Sequence, residues 1–466
     1  MSNKKISQLG LAADVTVNDL FQVVDKEDTS MSPSGTNKRI TAQTLGNFLP
    51  VTATGSSASR SLKDRFADTV NVKDFGAVGD GATDDTGAFQ AALNYCSLNG
   101  DKSLFVSTGS YKITSTLNLE DIVIVGESMR GSTLIGTNAL NVNNPIIKLG
   151  GSGGLWNIAL CYDSSAISGS ESYGQRVAVG FSVASGSSRI SQRCTAMHNV
   201  LIYRCGTGVF SGSEAVVFSC IFDSIEIADF TYAGFMMDSW TRTGNVYRNI
   251  YISSKDRANA VVGFALVGQS SEESVDQINV EDTILNSAVW FKNVGAISVG
   301  TIHIEGVQQR NTYSGLVLVE TTSGKIDSLS VYYTRQSVAG AGVVQVGNAG
   351  CIIGTAANPL TPRQTTSRLE INTLNLVSLN DPNSTKFPTW PNARGLAPTV
   401  DYAILRRTSG ATGVFTVAVN SYSYYWHQTN DDVNGDWSLP SGTVRNYILD
   451  VSNINVERFS NLIVPW

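Results

Sequence analysis

Charge and histidine are scarce in this sequence. Charged residues make up 15% of the chain against 42% hydrophobic residues, and only three histidines occur in 466 residues. The net charge is −6 and no block of Lys and Arg is present, so nucleic acid is not expected as a partner. Because the histidines are widely spaced, we expect no transition metal and no other cofactor.

Long hydrophobic runs are also missing. No segment approaches the roughly 20 apolar residues that a membrane helix needs, so we expect no membrane insertion. The stretch Met1–Leu9 lacks the apolar core of a secretory signal peptide. We therefore expect synthesis and folding in a cytoplasm, with release by a route such as lysis.

No pair among the six cysteines has the Cys-x-x-Cys spacing of a redox or zinc site. A chain of this length can build a core without disulfides, so we expect buried thiols, with disulfides as the alternative. The six residues are Cys96, Cys161, Cys194, Cys205, Cys220 and Cys351.

Glycine, by contrast, is abundant, with 43 residues, and few charges with many small residues suit long β structure with tight turns. The stretch Val72–Leu93 predicts a strand, a Gly- and Asp-rich turn and a short helix. Thr83 or Asp84 can cap this helix, and Asp84 and Asp85 suit the positive end of its dipole. We expect the helix to cover the open end of a stack of strands. Its predicted buried face consists of Phe89, Ala92, Leu93 and Cys96.

A short motif recurs along residues 70–375, in which two apolar residues flank one variable residue, usually after Asn or another polar residue. The steps between the first apolar residues are 42, 25, 25, 28, 24, 27 and 40. A period near 25 fits one coil of a parallel β-helix. The long steps indicate either a skipped coil or a long insertion. These anchor residues are Ile158, Val200, Ile225, Ile250, Ile278, Ile302, Leu329 and Leu369.

This register predicts two outward-facing columns of side chains, because side chains alternate along a strand. One residue after the anchors lie Glu226, Tyr251, Asn279, His303 and Ser330. Three residues after the anchors lie Tyr203, Ala228, Ser253, Glu281, Glu305 and Tyr332. Glu281 and Glu305 should therefore be one coil and about 5 Å apart at the backbone, with His303 beside Glu305 and Asp282 at a bend.

Paired carboxylates on neighbouring coils suit glycoside hydrolysis, which needs a proton donor and a base or nucleophile. The candidate catalytic residues are Glu281, Glu305, His303 and Asp282. Elimination beside a uronate is the other chemistry that such a groove can support. The alternative explanation is a polar column that faces water or a neighbouring subunit.

Further residues are candidates for substrate binding. Glu226 and Asp229 lie one and two coils before Glu281 and can supply another carboxylate, and Tyr251 and Asn279 lie in the same columns. A separate segment places Asp238, Trp240 and Arg242 close together. Trp240 can stack on a sugar ring and Arg242 can bind a carboxylate, with a packed loop as the alternative.

Other charged or aromatic positions favour simpler explanations. His198 is expected to satisfy local hydrogen bonds, and the segment 255–257 is expected to be a solvated bend. His427 follows a Tyr-Tyr-Trp run, which predicts a surface position and leaves sugar binding as the alternative.

Composition divides the chain into five parts. Residues 1–50 form a small unit, 51–69 a linker, 70–378 the β-helix, 379–400 a Pro-rich connector and 401–466 a small β domain. The last part is predicted to be a sandwich or a set of strands interleaved between chains.

The string Lys-Asp-Phe-Gly-Ala-x-Gly-Asp-Gly-x-x-Asp-Asp-Thr-x-Ala-Phe-Gln at residues 73–90 resembles the opening motif of the pectate-lyase-like, right-handed parallel β-helix superfamily. In particular it is similar to phage tailspikes that degrade surface polysaccharide. Residues 1–50 resemble the virion-attachment segments of such proteins, and residues 300–306 resemble a His-x-Glu-Gly stretch of phage depolymerases.

The resemblance implies an all-β fold: a right-handed parallel β-helix with an N-terminal capping helix, a short virion-attachment segment and a small C-terminal β domain. It also implies a homotrimer in the virion tail, attached to the tail or baseplate through residues 1–50 and acting on polysaccharide at the bacterial surface. The C-terminal part would help trimer formation and can bind sugar.

Three functions follow as hypotheses. The first is a tailspike depolymerase that hydrolyses a capsule, exopolysaccharide or O-antigen. The second is a receptor-binding spike that does not cleave, and the third is a polysaccharide lyase. The acid pair Glu281 and Glu305 favours the first, since a binder would need aromatic residues in its groove instead.

Overall fold

A computed structural model describes most of the chain. The described residues are 20–25, 36–100, 103–181, 191–193, 195–212, 215–254, 260–309, 316–332, 335–336, 342–346, 367–377, 402–407, 415–425, 447–448, 454–459 and 462–463. Two compact units, Met1–Val70 and Asn71–Trp466, make up the chain.

The described residues of the first unit form two antiparallel strand pairs and two short helices. Leu20–Asp25 pairs with Thr36–Thr41, and Pro50–Thr52 pairs with Ser59–Ser61. The helices are Ala42–Phe48, capped by the hydroxyl of Thr41, and Leu62–Phe66, capped by Ser61. The predicted linker 51–69 thus contains a hairpin and a helix. The role of residues 1–50 in virion attachment stays a prediction.

The second unit is a right-handed parallel β-helix, as predicted. Its helices are Thr86–Leu98 and the 3₁₀ turns Val72–Phe75 and Ser164–Ala166. Its strands up to residue 254 are Val70–Asn71, Asp80–Asp84, Leu104–Val106, Gly109–Ile113, Leu117–Glu120, Val123–Gly126, Ser132–Gly136, Ile147–Gly150, Gly154–Tyr162, Val177–Phe181, Ser191–Arg193, Ala196–Ser211, Val216–Phe218, Ile221–Thr243 and Asn245–Ser254. The later strands are Val262–Leu285, Ser287–Glu305, Gln308–Gln309, Val317–Tyr332, Arg335–Gln336, Gly342–Val346, Ser367–Val377, Tyr402–Arg407, Phe415–Tyr425, Tyr447–Ile448, Ile454–Phe459 and Leu462–Ile463.

Each full coil contributes to three parallel sheets, and several long strands bend from one sheet into the next. Sheet 1 includes the pairing of Leu155 with Met197, sheet 2 that of Ile158 with Val200, and sheet 3 that of Val179 with Val209. The inward side chains of all three sheets form a continuous core, which explains why the sequence alternates apolar and polar residues.

The corner between sheets 1 and 2 requires a left-handed backbone, which Asn tolerates better than most residues. Asn157, Asn199, Ser224 and Asn249 occupy this corner with φ between 50° and 57°. The side chain of Asn199 donates to that of Asn157 at 2.8 Å, so the corner residues also bond along the stack. This explains the Asn and other polar residues that precede the repeated motif.

The helix Thr86–Leu98 packs on the first coil, and its predicted apolar face is buried, with Phe89 fully inaccessible. Its predicted capping is only partly correct. Asp85 is the cap residue, but its carboxylate accepts from the backbone of Val78 and Gly79 instead of from the helix. Asp84 accepts from the backbone N–H of Thr86 at 3.0 Å and takes the capping role.

The repeat register is as predicted from Ile158 to Leu329. Ile158 pairs directly with Val200, so the step of 42 is one coil with a long insertion and not a skipped coil. The last anchor was wrong: Leu329 pairs with Leu374, whereas Leu369 pairs with Gly324 on sheet 1. Both segments carry the same apolar alternation, so the sequence pattern does not distinguish them.

The described strands of 401–466 do not form a sandwich. Ser367–Val377 pairs in parallel with Phe415–Tyr425, which pairs in parallel with Ile454–Phe459. The winding therefore continues past the predicted end at residue 378, because these strands have the same alternating pattern. The predicted connector 379–400 lies outside the described residues, and the homotrimer stays a prediction.

Four cysteines within the described ranges, Cys96, Cys161, Cys205 and Cys220, are buried thiols. Cys194 and Cys351 lie outside the described residues. In the part of the chain that the structure describes, no helix combines the length and hydrophobicity that a membrane crossing requires.

Candidate functional site

The two predicted outward columns are present on sheet 2. Glu281 pairs with Glu305 on the next strand, and Asn279 pairs with His303. The alternate residues on these strands, such as Ile302 and Ile304, are fully buried, so the polar side chains point outward. Two glutamates separated by 24 positions in sequence thus become neighbours, about 4.8 Å apart at the backbone.

His303 lies between the two carboxylates. Its Nε2 is 3.4 Å from Oε2 of Glu305 and 3.8 Å from Oε1 of Glu281. Those two oxygens are therefore no more than about 7 Å apart. The three side chains are between 26% and 29% exposed, so water and ligands reach them while strand neighbours restrict their movement. We call Glu281, His303 and Glu305 the glutamate–histidine cluster.

Two tyrosines flank the cluster. The Tyr251 hydroxyl donates to Oε2 of Glu281 at 3.1 Å. Partial burial raises the pKa of Tyr251 to about 12, and the negative charges of Glu281 and Asp282 add to this effect. Because of this raised pKa, Tyr251 remains a protonated donor over the whole neutral range. On the other side of the cluster, the ring of Tyr332 lies 5.1 Å from the ring of His303.

Asp282 and Asn279 lie near the cluster on the strand of Glu281. Asp282 has φ 46° and stands where the strand register shifts, which agrees with the predicted bend. The side-chain oxygen of Asn279 accepts from Gln277 at 3.1 Å. Within the described ranges, no three His, Cys, Asp or Glu side chains are arranged to hold a metal ion.

Glu226 belongs to the same column but is engaged elsewhere. It pairs with Tyr251, which in turn pairs with Asn279, so Glu226 lies two coils before the cluster. Arg130 forms an ion pair with it at 2.8 Å. Asp229 follows on the same coil at a left-handed corner with φ 51°. The prediction that these acids occupy different coils was therefore wrong.

The predicted grouping of Asp238, Trp240 and Arg242 does not converge on the surface. Arg242 is fully buried, where its guanidinium pairs with Glu273 at 3.3 Å, so its predicted contact with a glycan carboxylate is wrong. The strand directs Arg242 inward. Asp238 is on sheet 3 and accepts a hydrogen bond from Tyr173. The side chain of Trp240 lies outside the described residues.

Three further predictions concern isolated residues. His198 is 53% exposed and its Nδ1 lies 3.4 Å from Asp223, so it has the local partner that was expected. The charged segment 255–257 and His427 lie outside the described residues.

Sequence reasoning missed Arg130 and the contact of Tyr332 with His303. Arg130 follows a different strand from its partner Glu226, 96 positions earlier, and no repeat signal links the two. The predicted column of Tyr332 is correct, but no sequence pattern predicts that its ring lies against the histidine.

The fold is a parallel β-helix, and comparison with known sequences assigns the family. The sequence model of the rhamnogalacturonase A/epimerase, pectate lyase-like family matches residues 69–316. The chain belongs to this family, which confirms the predicted superfamily.

Individual relatives match over shorter stretches or with low similarity. The mannuronan C5-epimerase AlgE3 of Azotobacter vinelandii is 40% identical over 73 residues, 14% of this chain and 4% of that protein. The curated relatives are matched over between 4% and 8% of their own length.

Among solved structures, the GH87 α-1,3-glucanase of Streptomyces thermodiastaticus is 13% identical, with 78% of this chain and 66% of that chain covered and a TM-score of 0.42. The tailspike of the Escherichia coli bacteriophage HK620, solved with a pentasaccharide, is 10% identical, with 84% and 72% covered and a TM-score of 0.41.

Proposed function

We propose that this protein is a phage tailspike that binds and depolymerises a bacterial surface polysaccharide by glycoside hydrolysis. The glutamate–histidine cluster carries this proposal: two outward carboxylates share one histidine on adjacent coils of a pectate-lyase-like β-helix. The opening motif at residues 73–90 and the attachment-like pattern of residues 1–50 support the tailspike assignment.

The contacts of the two glutamates suggest different roles. Glu281 accepts a hydrogen bond from Tyr251, which orients it as base or nucleophile. Glu305, whose Oε2 lies 3.4 Å from Nε2 of His303, is assigned as the proton donor to the leaving oxygen. The upper limit of about 7 Å between Oε1 of Glu281 and Oε2 of Glu305 is compatible with the ~5–5.5 Å separation of the two carboxyl groups in retaining enzymes. Asp282, Glu226, Asp229, Tyr251 and Asn279 are proposed to contact substrate along the groove.

Hydrolysis is favoured over elimination by the charge of the cluster. Elimination requires a uronate whose carboxylate is neutralised while the adjacent proton is removed. The Glu281 carboxylate would repel a uronate carboxylate placed beside His303. The cleavage site is thus better suited to a neutral sugar.

The proposal predicts that Glu305→Gln abolishes cleavage, because the amide has no acidic proton to give to the leaving oxygen. We expect product formation to fall by a factor of at least about 100. The matched control is Glu272→Gln, an exposed glutamate on the strand of Glu281, which should retain wild-type turnover. Reducing-end release from purified capsular polysaccharides measures both variants.

Two results would separate the alternatives. If Glu305→Gln turns over at the wild-type rate, Glu305 is not in the catalytic site. If the wild-type protein binds a polysaccharide but never shortens it, the protein is a receptor-binding spike. Mass spectrometry of the products distinguishes hydrolysis from elimination, since an elimination product is lighter by one water.

A further inference from the structure

A cavity with polar and apolar lining residues lies on the outer face of sheet 3. One outward column of that sheet consists of Asn118, Lys148, Gly180 and Phe210 on successive strands. The cavity over these residues has a volume of about 420 Å³, within the ~300–1,000 Å³ typical of small-ligand sites. None of the residues that line it is acidic, although the whole chain carries a net charge of −6.

The base of the cavity depends on a residue without a side chain. A Cβ at Gly180 would come within 2.9 Å of the Pro145 ring. Since Gly180 lies between Lys148 and Phe210 in the column, this position leaves the surface open between a cation and an aromatic ring. A larger residue there would move the wall or fill the space.

Internal hydrogen bonds fix one wall of the cavity. The Thr116 hydroxyl donates to the carbonyl of Pro145 at 2.6 Å, and the buried Tyr162 hydroxyl donates to the carbonyl of Val177, another residue that lines the cavity, at 2.9 Å. These bonds hold the backbone of this wall in place before any ligand arrives, which reduces the entropy cost of binding.

The opposite wall is fixed in the same way. The buried carboxylate of Glu171 accepts from the backbone of Ser168 and from the hydroxyl of Thr231 at 2.6 Å. This holds the segment that carries Tyr173 and Gly174, and the Tyr173 ring packs edge-on against Phe210 at 5.0 Å. Phe210 therefore presents a supported aromatic surface to the cavity.

Four polar side chains of the cavity have no hydrogen-bond or ion-pair partner among the described residues: Asn118, Asn143, Asn144 and Lys148. Three amides can donate and accept hydrogen bonds, as sugar hydroxyls require, and the ammonium can pair with a carboxylate. An aromatic ring completes the set of groups that bind a sugar, because the apolar face of a pyranose packs on such a ring.

We propose that this cavity is a second glycan-binding site, which takes an acidic sugar unit with its carboxylate on Lys148 and its ring against Phe210. The inference rests on the proposed function in taking a polysaccharide as the ligand, and it adds that the polymer contains acidic units. Because the site lies on a different sheet from the glutamate–histidine cluster, it would hold the long polymer between cleavage events and raise its effective concentration.

Acylation footprinting of the full-length protein tests the site directly. Lys148 reacts with an amine-acylating reagent in the presence of D-glucuronate, D-glucose or inorganic sulfate. Peptide mass spectrometry measures the rate of this reaction. We expect D-glucuronate at about twice its Kd to lower the acylation rate of Lys148 about threefold. Lys292, an exposed lysine on the outer face of the same sheet, should keep its rate and serves as the internal control.

Variants give a second readout by calorimetric titration with D-glucuronate. Lys148→Met should weaken binding about tenfold, because it removes a charge-assisted hydrogen bond. Lys292→Met should leave the affinity unchanged. Asn143→Ala alters an exposed side chain and should cause a smaller loss without affecting folding.

Several outcomes would overturn the inference. The first is an acylation rate of Lys148 that D-glucuronate does not change. The second is protection of Lys148 by D-glucose, or by sulfate, as strong as that by D-glucuronate; the sulfate result would indicate a plain anion site. The third is protection of Lys292 as strong as that of Lys148. The footprint requires no cleavage, so the Glu305→Gln protein should show the same protection. Loss of turnover and loss of protection therefore report separately on the proposed function and on this site.

Discussion

Tyr251 positions Glu281 through a single hydroxyl group. The pair is possible because the two residues lie in adjacent outward columns of neighbouring strands. Tyr251 keeps its proton at neutral pH, since partial burial and the nearby carboxylates raise its pKa to about 12. Its contribution is thus a fixed donor and not a titrating group.

Replacement of this donor gives a prediction at the residue scale. Tyr251→Phe retains the ring but removes the hydrogen bond to Glu281, so kcat/KM should fall about tenfold. Because the hydroxyl is protonated well below its raised pKa, the loss should be the same from about pH 5 to pH 9. A pH–rate profile of both proteins measures this. A loss confined to the alkaline end would show instead that Tyr251 titrates during the reaction.

At the scale of the strand, the most unusual feature is an ion pair inside the β-helix. Arg242 and Glu273 are both fully buried and lie on strands that enclose the core. Arg242 also donates to the carbonyl of Met237 at 2.5 Å, and Glu273 accepts from Ser270 at 2.8 Å. Removing one partner would leave a buried charge without compensation.

We therefore predict that Arg242→Met lowers the free energy of unfolding by about 3–5 kcal/mol. The double variant Arg242→Met with Glu273→Leu should lose less, because no charge remains buried. Denaturant unfolding of the wild type and both variants gives the comparison. A double variant that is less stable than the single one would show that the pair itself stabilises the core.

The pH dependence of the same variant has a defined sign. Burial raises the pKa of Glu273, and the charge of Arg242 opposes this. Without the opposing charge of Arg242 the pKa of Glu273 rises further, so as the pH falls the folded state takes up a proton before the unfolded state does. The variant should thus gain stability as the pH falls toward the unfolded value of about 4.3, and its deficit against the wild type should shrink.

At the scale of the whole molecule, a parallel β-helix must end without exposing an unpaired coil. The helix Thr86–Leu98 covers the first coil at one end. Phe89 is fully buried there and contacts Tyr111, with ring centroids 5.4 Å apart. The stability of this end depends on that contact.

Phe89→Ala should lower the free energy of unfolding by about 3–5 kcal/mol and increase aggregation, since the uncovered coil can pair with other chains. Leu98→Ala is the matched control on the same helix: Leu98 is 77% exposed, so the change should stay within about 0.5 kcal/mol. Denaturant unfolding and light scattering measure the two effects. Equal losses in both variants would contradict the capping role of Phe89.

Most of the β-helix register could be predicted from the sequence. The alternation of apolar and polar residues determines which side chains point inward, and the period near 25 determines which residues stack. The error at Leu369 arose where two strands of one coil carry the same alternation. The period of the pattern identifies a coil, but it does not show which strand of that coil a given segment forms.

The sequence by itself determined the outward columns, and through them the pairing of Glu281 with Glu305, because both depend on the local period of the backbone. Only the tertiary structure decided which side chains meet across larger separations. The inward course of Arg242, the pair of Arg130 with Glu226 and the cavity around Lys148 depend on loops and on strands from different coils. Such contacts arise from packing between segments far apart in the chain, for which no local pattern exists.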